Sequence, residues 1–403
     1  MTSAFPIKRL ASVTLGKMVQ PDSKAASNIF APYLRAAHVQ PQGQVIELPD
    51  QRMWFSRLEL SALDLRQGDV VVVEGGAGYG RSAVLHDDLP GWGFQNSIVR
   101  LRPAAGVADG RFLDYALQDA LTDGRIDLVT STATLPHFTA DKVSKFEVPS
   151  PPLDEQRAIA DYLDQETAQI DALVTKQEEF IGLLRERRSA EISHAVQAAP
   201  SRVKLKYVAG AGQYGLNFSA SEYVNAGTRL LRTTDLVGGR MTPSSDGIFV
   251  PEQAVSERDR LASGDLLLSR SGTVGRGFVV PPEAEGMTFA GFLVRFRPKP
   301  DMDGRYLGYC TQTAEFQRVV QSEAVSSTIQ NFNADRYGNV DIPMLPIDAQ
   351  LRVVNRLDEQ TAQIDALISK AGEHIALAKE RRAALITAAV TGQLDVRTSR
   401  KAG

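Results

Sequence analysis

Apolar residues recur every seven positions along two long segments of the chain. In the first segment, one series consists of Leu163, Ile170 and Leu184, and a second of Leu173 and Phe180. In the later segment, the two series are Leu357, Ile364, Ala371, Ala378 and Leu385, and Leu367 and His374. This spacing is typical of helices that pair in a coiled coil. It predicts two long helices with facing apolar seams; the alternative is two amphipathic helices that pack separately on their own domains.

Residues at the ends of these segments predict where the helices begin and end. PPLDEQ and LPIDAQ place Pro before Asp154 and Asp348, whose carboxylates are expected to accept hydrogen bonds from the first helical turn. Pro200 and Gly392 are expected to end the helices. The predicted helices therefore occupy 153–199 and 346–392, and each is roughly 60 Å long at about 1.5 Å per residue.

The remaining sequence has short apolar runs of the strand type. DVVVV, SIVRLR, DLLLS and FLVRFRP are separated by Gly and Pro turns. The predicted fold class is α+β, with mixed α/β domains at 1–152 and 200–345 and a tail at 393–403. The two long helices would join these domains as a spacer.

The chain also contains an internal repeat. DQETAQIDAL, which begins at Asp164, returns as DEQTAQIDAL from Asp358, and RERR from Arg185 returns as KERR from Lys379 at the same offset. Upstream, RFLDYALQ corresponds to RYLGYCTQ, and GDVVVVEGGAGYGR corresponds to GDLLLSRSGTVGR. Two diverged copies of one module are therefore predicted. Because each copy ends in a long helix, we expect the second helix to return antiparallel to the first, with the domains at opposite ends and related by an approximate two-fold axis.

Composition limits the classes of function. The 403 residues are 43% hydrophobic and 23% charged, which is ordinary for a globular protein. A net charge of −3 gives no global attraction to nucleic acid, so any DNA contact would need local basic patches. The single cysteine, Cys310, excludes an internal disulfide. No long apolar span or signal-peptide pattern is present, and a cytoplasmic location is expected.

The stretch EGGAGYG, Glu74 to Gly80, resembles a phosphate-binding loop. The second copy has SRSGTVGR there and keeps only Gly275 and Arg276 as counterparts of Gly80 and Arg81. An extended run follows in both copies, whereas a dinucleotide loop needs a helix after its glycines. A glycine-rich turn between strands is therefore favoured over a nucleotide site.

A second candidate motif is SPPL at Ser150 to Leu153, which resembles the motif of amino-methyltransferases. Leu153 replaces the aromatic residue that would stack on a flipped base, and the other copy has MLPI. The prolines are better explained as helix entry. The five histidines lack metal-ligand spacing, and neither a G-x-S-x-G motif nor a Walker lysine is present. No active site is predicted.

The helix motifs together resemble the specificity subunit of Type I restriction-modification enzymes. The similarity rests on PPLDEQRAIADYLD, the repeated QIDAL segment and KERRAALITAAVTGQLDV, and it extends over essentially the whole chain. It implies a non-catalytic subunit in which each domain is a target recognition domain that reads half of a bipartite double-stranded DNA site. The helices would be the spacer and would dock two modification subunits, which bind S-adenosylmethionine and methylate adenine. Restriction and translocase activity would belong to a further subunit, and this chain would hold no cofactor or metal.

Residues suited to phosphate or base contacts lie in both domains. In the first domain the candidates are Lys17, Arg35, Tyr79, Arg81, Gln95, Asn96 and Lys142. In the second they are Arg232, Arg270, Ser271, Thr273, Arg276, Gln330, Asn331, Asn333 and Arg336. Arg81 and Arg276 stand out because both copies retain them beside a glycine. The RERR run is interpreted as a helix face that meets acidic residues of a partner, or phosphate, and not as a base reader. Two alternatives remain: the chain is itself an amino-methyltransferase, or it is a coiled-coil scaffold without DNA readout.

Overall fold

The computed structural model describes residues 3–49, 51–130, 136–237, 240–241, 247–324 and 332–396. The chain forms two compact units, Met1–Gln177 with Glu373–Gly403, and Glu178–Gly372. The boundary between them falls inside both long helices, whereas the sequence treated each helix as a separate segment. Both units combine helices and strands, so the α+β class is confirmed.

The first unit contains eleven strands in its described part. They are β1 (Ala4–Pro6), β2 (Ala11–Leu15), β3 (Ile29–Leu34), β4 (Val39–Gln40), β5 (Gln44–Val45), β6 (Arg52–Phe55), β7 (Val70–Val73), β8 (Ser82–Val84), β9 (Gly93–Phe94), β10 (Ile98–Pro103) and β11 (Glu147–Pro149). The main sheet is antiparallel, with strand order β2-β10-β7-β8. A second sheet has order β6-β3-β9, in which β3 and β9 are parallel.

Helices of the first unit contribute to both of its hydrophobic cores. They are α1 (Arg57–Ala62), α2 (Gly110–Thr122), α3 (Arg125–Thr130), α4 (Ala140–Lys145) and the long α5 (Leu153–Gln197). Strand β7 is buried on both faces: Val70 and Val72 share a core with Phe112 of α2, and Val71 and Val73 share another core with Phe55. This double burial explains the uninterrupted VVVV run, which has no polar alternation.

The second unit repeats these strand orders. Its strands are β12 (Ser201–Lys204), β13 (Gln213–Tyr214), β14 (Thr228–Leu231), β15 (Leu236–Val237), β16 (Arg240–Met241), β17 (Phe249–Val250), β18 (Leu266–Ser269), β19 (Gly277–Val279), β20 (Thr288–Phe289), β21 (Leu293–Phe296) and β22 (Asp341–Met344). Its helices are α6 (Leu205–Ala209), α7 (Gly304–Gln312), α8 (Ala314–Ala324), α9 (Ala334–Gly338) and α10 (Ile347–Val390). The main sheet has order β13-β21-β18-β19, and the second sheet β17-β14-β20 has the same parallel pair, β14 with β20.

The two long helices begin in the same way. Gln156 of α5 is buried; its amide oxygen accepts a hydrogen bond from the Asp109 N–H at 3.0 Å, and its amide nitrogen donates to the Pro151 carbonyl at 2.8 Å. Gln350 of α10 makes equivalent bonds to Asp303 and Leu345 at 2.8 and 2.7 Å. A buried glutamine thus ties each helix start to the globular part of its unit.

The predicted helix ends need small corrections. Asp154 and Asp348 lie inside the first turn, where their charge favours the positive end of the helix dipole. Helices α5 and α10 end at Gln197 and Val390, two residues before each predicted end.

Each long helix buries only one of its two predicted apolar series. Leu163, Ile170, Leu184, Leu357, Ile364, Ala371 and Ala378 are buried. Leu173, Phe180 and Leu367 are 48%, 43% and 45% exposed, and His374 is exposed. The expectation that both series line a seam is therefore wrong, because the side chains of the second series remain exposed.

Segments of α5 and α10 pack together inside each unit. In the first unit, Asp171 pairs with Arg382, while Leu163 shares a core with Ile386 and Val390. In the second unit, Arg188 pairs with Asp365, and Val196 shares a core with Val354. Residue numbers rise along one segment as they fall along the other, so the segments are antiparallel within each unit. Among the described residues, no helix is long and apolar enough to cross a membrane.

Candidate nucleic-acid interface

In the first unit, the turn between β9 and β10 brings distant polar residues together. The Gln95 N–H donates to the Leu34 carbonyl at 2.8 Å, and the Asn96 N–H donates to the Lys17 carbonyl at 2.9 Å. The Ser97 hydroxyl accepts a hydrogen bond from the Ala36 N–H at 3.2 Å, which places the adjoining Arg35 beside the same turn. Four predicted residues, Lys17, Arg35, Gln95 and Asn96, therefore lie together.

The loop after β7 joins this group. The Glu74 N–H donates to the Ser97 carbonyl at 2.9 Å, and the Glu74 carbonyl accepts from the Phe138 N–H at 2.7 Å. Gly75 forms a bridge with His137, whose carbonyl accepts from Lys142 Nζ at 3.1 Å. We call this group the first loop cluster; it comprises Lys17, Arg35, Glu74, Gln95, Asn96, Ser97, His137 and Lys142.

The second unit builds the same arrangement with different side chains. The Ala290 N–H donates to the Leu231 carbonyl at 2.9 Å, and the Arg270 N–H donates to the Phe292 carbonyl at 3.0 Å. The Phe332 N–H donates to the Arg270 carbonyl at 3.0 Å, as Phe138 does to Glu74. The second loop cluster comprises Arg232, Arg270, Ala290, Gly291, Phe292 and Asn333.

Arg35 and Arg232 occupy equivalent positions. Each follows the strand of the parallel pair, one residue after Leu34 or Leu231. Each caps a short 3-10 turn, and its N–H donates to a side chain three residues later, His38 Nδ1 at 3.1 Å or Asp235 Oδ2 at 2.8 Å. Among the described residues, the Nε atoms of both arginines are buried without a hydrogen-bond partner. Arg232 Nε lies 3.5 Å from Asp235 Oδ2, outside hydrogen-bond geometry.

Other charged groups in the clusters already have contacts. Lys17 Nζ lies 2.5 Å from Glu59 Oε2, and this hydrogen bond lowers the pKa of Glu59. The Arg270 guanidinium lies 4.7 Å from the centre of the Tyr214 ring and donates to the Gly291 carbonyl at 3.4 Å. Burial raises the pKa of Glu74, and the nearby His137 opposes that shift. Contacts within the protein thus hold the charged side chains of the two clusters in place to different degrees.

Tyr79 and Arg81 do not join the first loop cluster. The Tyr79 hydroxyl donates to Asp127 Oδ1 at 2.6 Å, and this bond raises the tyrosine pKa. Arg81 lines a cavity of about 340 Å³ together with Gln118 and Arg382. The glycine-rich turn before Arg81 joins β7 to β8, so a strand and not a helix follows its glycines. This geometry does not offer a helix N-terminus to a nucleotide phosphate.

Apart from Asn333, which belongs to the second loop cluster, the remaining candidates of the second unit are dispersed. Ser271, Thr273 and Arg276 lie on the turn between β18 and β19, where Thr273 and Arg276 are exposed. Asn333 caps α9 by accepting from the Arg336 N–H at 2.9 Å. Arg336 lines a cavity of about 480 Å³ with Cys310, whose burial raises its thiol pKa. Gln330 and Asn331 lie outside the described residues.

The sequence reasoning missed Glu74, Ser97 and His137 in the first unit and Tyr214 and Phe292 in the second. The repeat contains a usable signal for one of them, because aligning GDVVVVE with GDLLLSR places Glu74 opposite Arg270. The other contacts join segments far apart in sequence, and no spacing pattern encodes them. In the described parts of the chain, no group of three or more His, Cys, Asp or Glu residues could hold a metal ion.

Comparisons with known proteins give a consistent result. A family model for the type I restriction modification DNA specificity domain matches residues 61–180. The chain is 22% identical over 187 residues to the StySPI specificity subunit of Salmonella potsdam, and this match spans 45% of the chain and 39% of that relative. It is 23% identical over 328 residues to the MjaVIII specificity subunit of Methanocaldococcus jannaschii, across 75% of the chain and 74% of the relative.

Solved structures share the fold. A chain from a structure of the type I R-M system aligns over 97% of this chain and 98% of its own length, with a TM-score of 0.69 and 18% identity. The HsdS subunit of Thermoanaerobacter tengcongensis aligns over 97% of each chain, with a TM-score of 0.52 and 18% identity. In sequence over part of its length and in fold over nearly all of it, this chain is therefore similar to type I restriction-modification specificity subunits.

Proposed function

We propose that this chain is the sequence-specific DNA-recognition subunit of a type I restriction-modification complex. In this proposal the two units are diverged copies of a target recognition domain, and each reads one half of a bipartite, asymmetric site. The observation that carries the proposal is the equivalent placement of Arg35 and Arg232 in the two loop clusters, each with a buried Nε that lacks a hydrogen-bond partner among the described residues.

The chemistry of the clusters suits duplex DNA. A guanidinium donates hydrogen bonds to phosphate oxygens or to the O6 and N7 atoms of guanine. Because the net charge of the chain is −3, attraction to DNA must come from local cations of this kind. Arg35 and Arg232 share one backbone setting, while the residues around them differ. The arginine at this position would make the same contact with DNA in both units. The residues around it, which differ between the units, would allow the two half-sites to differ.

The long helices supply surfaces for protein partners. The first unit exposes Leu173 of α5 and Leu377 of α10, and the second exposes Leu367 of α10 and Leu183 of α5. Leu173 and Leu367 occupy the same position of the internal repeat, as do Leu183 and Leu377. Each unit thus carries the same pair of exposed apolar residues, which supports docking of one modification subunit per unit. Those subunits would supply S-adenosylmethionine and methylation, and restriction subunits would join the same complex.

The experiment uses the complex assembled from this chain and its modification subunits. A randomised duplex pool should yield a two-part consensus sequence. Arg35→Ala and Arg232→Ala should each weaken binding several-fold, and loss of a phosphate contact should reduce the slope of log affinity against log salt by about one. The controls are Arg66→Ala and Arg258→Ala, whose arginines lie before the start of β7 and β18, away from the loop clusters. An unchanged affinity for both test variants would contradict the anchoring role.

The two alternative functions make different predictions. A methyltransferase would bind S-adenosylmethionine by itself, whereas we expect calorimetry with the isolated chain to give no saturable heat. Micromolar binding would overturn the proposal that the cofactor belongs to the partner. A scaffold without readout would enrich no consensus sequence, and its affinity for all duplexes would fall steeply with salt.

A further inference from the structure

Glu74 and Arg270 occupy the same backbone position in the two units. Each follows the central strand, β7 or β18. The N–H of each donates to the residue just before the neighbouring strand, to Ser97 at 2.9 Å or Phe292 at 3.0 Å. The carbonyl of each accepts from a phenylalanine N–H, that of Phe138 or Phe332. These backbone contacts make the two positions equivalent independently of the sequence alignment.

The side chains at this shared position have opposite charge. Glu74 is half-buried beside His137, and among the described residues its carboxylate accepts no hydrogen bond. Such a carboxylate can still accept hydrogen bonds from a ligand. Arg270 is held against the Tyr214 ring, which pre-orients its guanidinium. The backbone position is therefore the same in both units, but its side chain is a hydrogen-bond acceptor in the first unit and a donor in the second.

Each loop cluster places this position next to its retained arginine. Ser97 contacts the backbones of both Ala36 and Glu74, so Arg35 and Glu74 lie on either side of one turn. In the second unit, Ala290 contacts Leu231, and Phe292, two residues later, contacts Arg270. A ligand held by the retained arginine would therefore also meet the variable residue.

We propose that Glu74 and Arg270 determine the identity of one base each in the two half-sites, an inference that rests on the proposed DNA-recognition function. The Glu74 carboxylate would accept a hydrogen bond from an exocyclic amino group, with cytosine N4 as the favoured donor. The Arg270 guanidinium would donate to guanine O6 and N7. The two units would thus present an acceptor and a donor at the same backbone position. The two half-sites would differ at the corresponding base.

The test substitutes the same residue at both positions, Glu74→Gln and Arg270→Gln, in the assembled complex. A glutamine amide pairs with adenine N6 and N7, so selection from a randomised duplex pool should shift one column of the consensus toward adenine. The preference for the original base should fall by about ten- to a hundred-fold in that column. Only the half-site read by the substituted unit should change.

The unchanged half-site reports that each variant folds and assembles, and Glu147→Gln and Arg258→Gln are the matched controls at exposed positions. The inference is overturned if both variants keep the wild-type consensus, or if they lose affinity equally for all sequences. A wild-type complex that selects no two-part consensus would overturn the proposed function, and this inference with it.

Discussion

Gly80 and Gly275 are equivalent glycines that both copies of the repeat retain. The sequence connected them with a DNA-facing pair, Arg81 and Arg276. In the structure both glycines have positive φ, +78° and +85°. A Cβ on Gly80 would lie 2.9 Å from Leu121, and one on Gly275 would lie 3.0 Å from Val320. Backbone conformation and close packing thus suffice to explain why both copies keep this glycine.

We therefore expect Gly80→Ala and Gly275→Ala to destabilise their own units. A left-handed conformation costs an L-residue roughly 1–2 kcal/mol, and the close contacts add to this. Arg276→Ala should change the free energy of unfolding by less than about 0.5 kcal/mol, because this side chain is exposed. Chemical denaturation, monitored by hydrogen exchange in each unit, measures the change in unfolding free energy. Equal stability of the Gly80→Ala variant and the wild type would contradict this prediction.

A buried carboxyl group gives the first unit a specific pH dependence. Asp114 on α2 accepts hydrogen bonds from the Ser82 hydroxyl at 2.6 Å and from Gln118 Nε2 at 2.9 Å. Burial raises its pKa from 3.8 to about 6. Because the folded state binds this proton more tightly than the unfolded state, the stabilising contribution is complete below about pH 4 and is lost as pH rises through about 6.

Asp114→Asn should remove this dependence. At pH 7 the variant should gain up to about 3 kcal/mol relative to the wild type, since one pKa unit corresponds to about 1.4 kcal/mol, and the gain should vanish near pH 4. Denaturant unfolding of the first unit at both pH values tests this, with Asp87→Asn as the exposed control. A difference between variant and wild type that does not vary with pH would show that burial of Asp114 is not the cause.

At the scale of elements, one arginine from each charge run packs against the partner helix of its own unit. Arg382 Nε lies 3.1 Å from Asp171 Oδ1, and its Nη atoms donate to Gln118 and to the Gln42 carbonyl. Arg188 lies 3.1 Å from Asp365 Oδ1 and donates to Gln312 at 2.9 Å. The last arginine of each run therefore differs from the prediction, because the acidic residue that it contacts belongs to this chain and not to a partner.

The two networks should differ in strength because their burial differs. The Arg382 side chain is 8% exposed, against 27% for Arg188. Breaking a buried pair strands a charge, so Asp171→Ala should lower the unfolding free energy of the first unit by about 3 kcal/mol. Asp365→Ala should lower that of the second by about 1 kcal/mol. Hydrogen exchange resolved by unit measures both values; a larger loss for Asp365→Ala would refute the burial argument.

The exposed stripe of the long helices belongs to the same scale. Leu173→Glu and Leu367→Glu should leave the fold intact, because both side chains are about half exposed. If this stripe docks modification subunits, each substitution should remove one such subunit, since a charge in an apolar interface is unfavourable. Native mass spectrometry of the assembled complex counts the subunits. Retention of the full complement in the double variant would show that docking uses another surface.

At the scale of the whole molecule, the proposed spacer role predicts a change in site architecture. Insertion of four residues after both Thr175 and Ser369, equivalent positions of the repeat, adds about 6 Å of helical rise. At about 3.4 Å per base pair, the gap between the half-sites should lengthen by one or two base pairs. Both half-site sequences should remain, because the loop clusters are untouched. A methylation map with altered half-sites, or with an unchanged gap in an active complex, would argue against the spacer role.

The sequence by itself determined the α+β class, the internal repeat and the presence of two long helices. These properties are local: heptad spacing, helix-entry prolines and buried strand runs act over a few residues, and a repeat is visible by comparison within the chain. Tertiary structure decided which heptad series is buried, because both series have the same spacing and only packing partners distinguish them. It also assembled Lys17, Arg35, Glu74 and Asn96 around one turn, through backbone hydrogen bonds between segments that no local pattern links. The equivalence of Arg35 with Arg232 likewise became visible only through strand register, since loops of different length separate them from the aligned motifs.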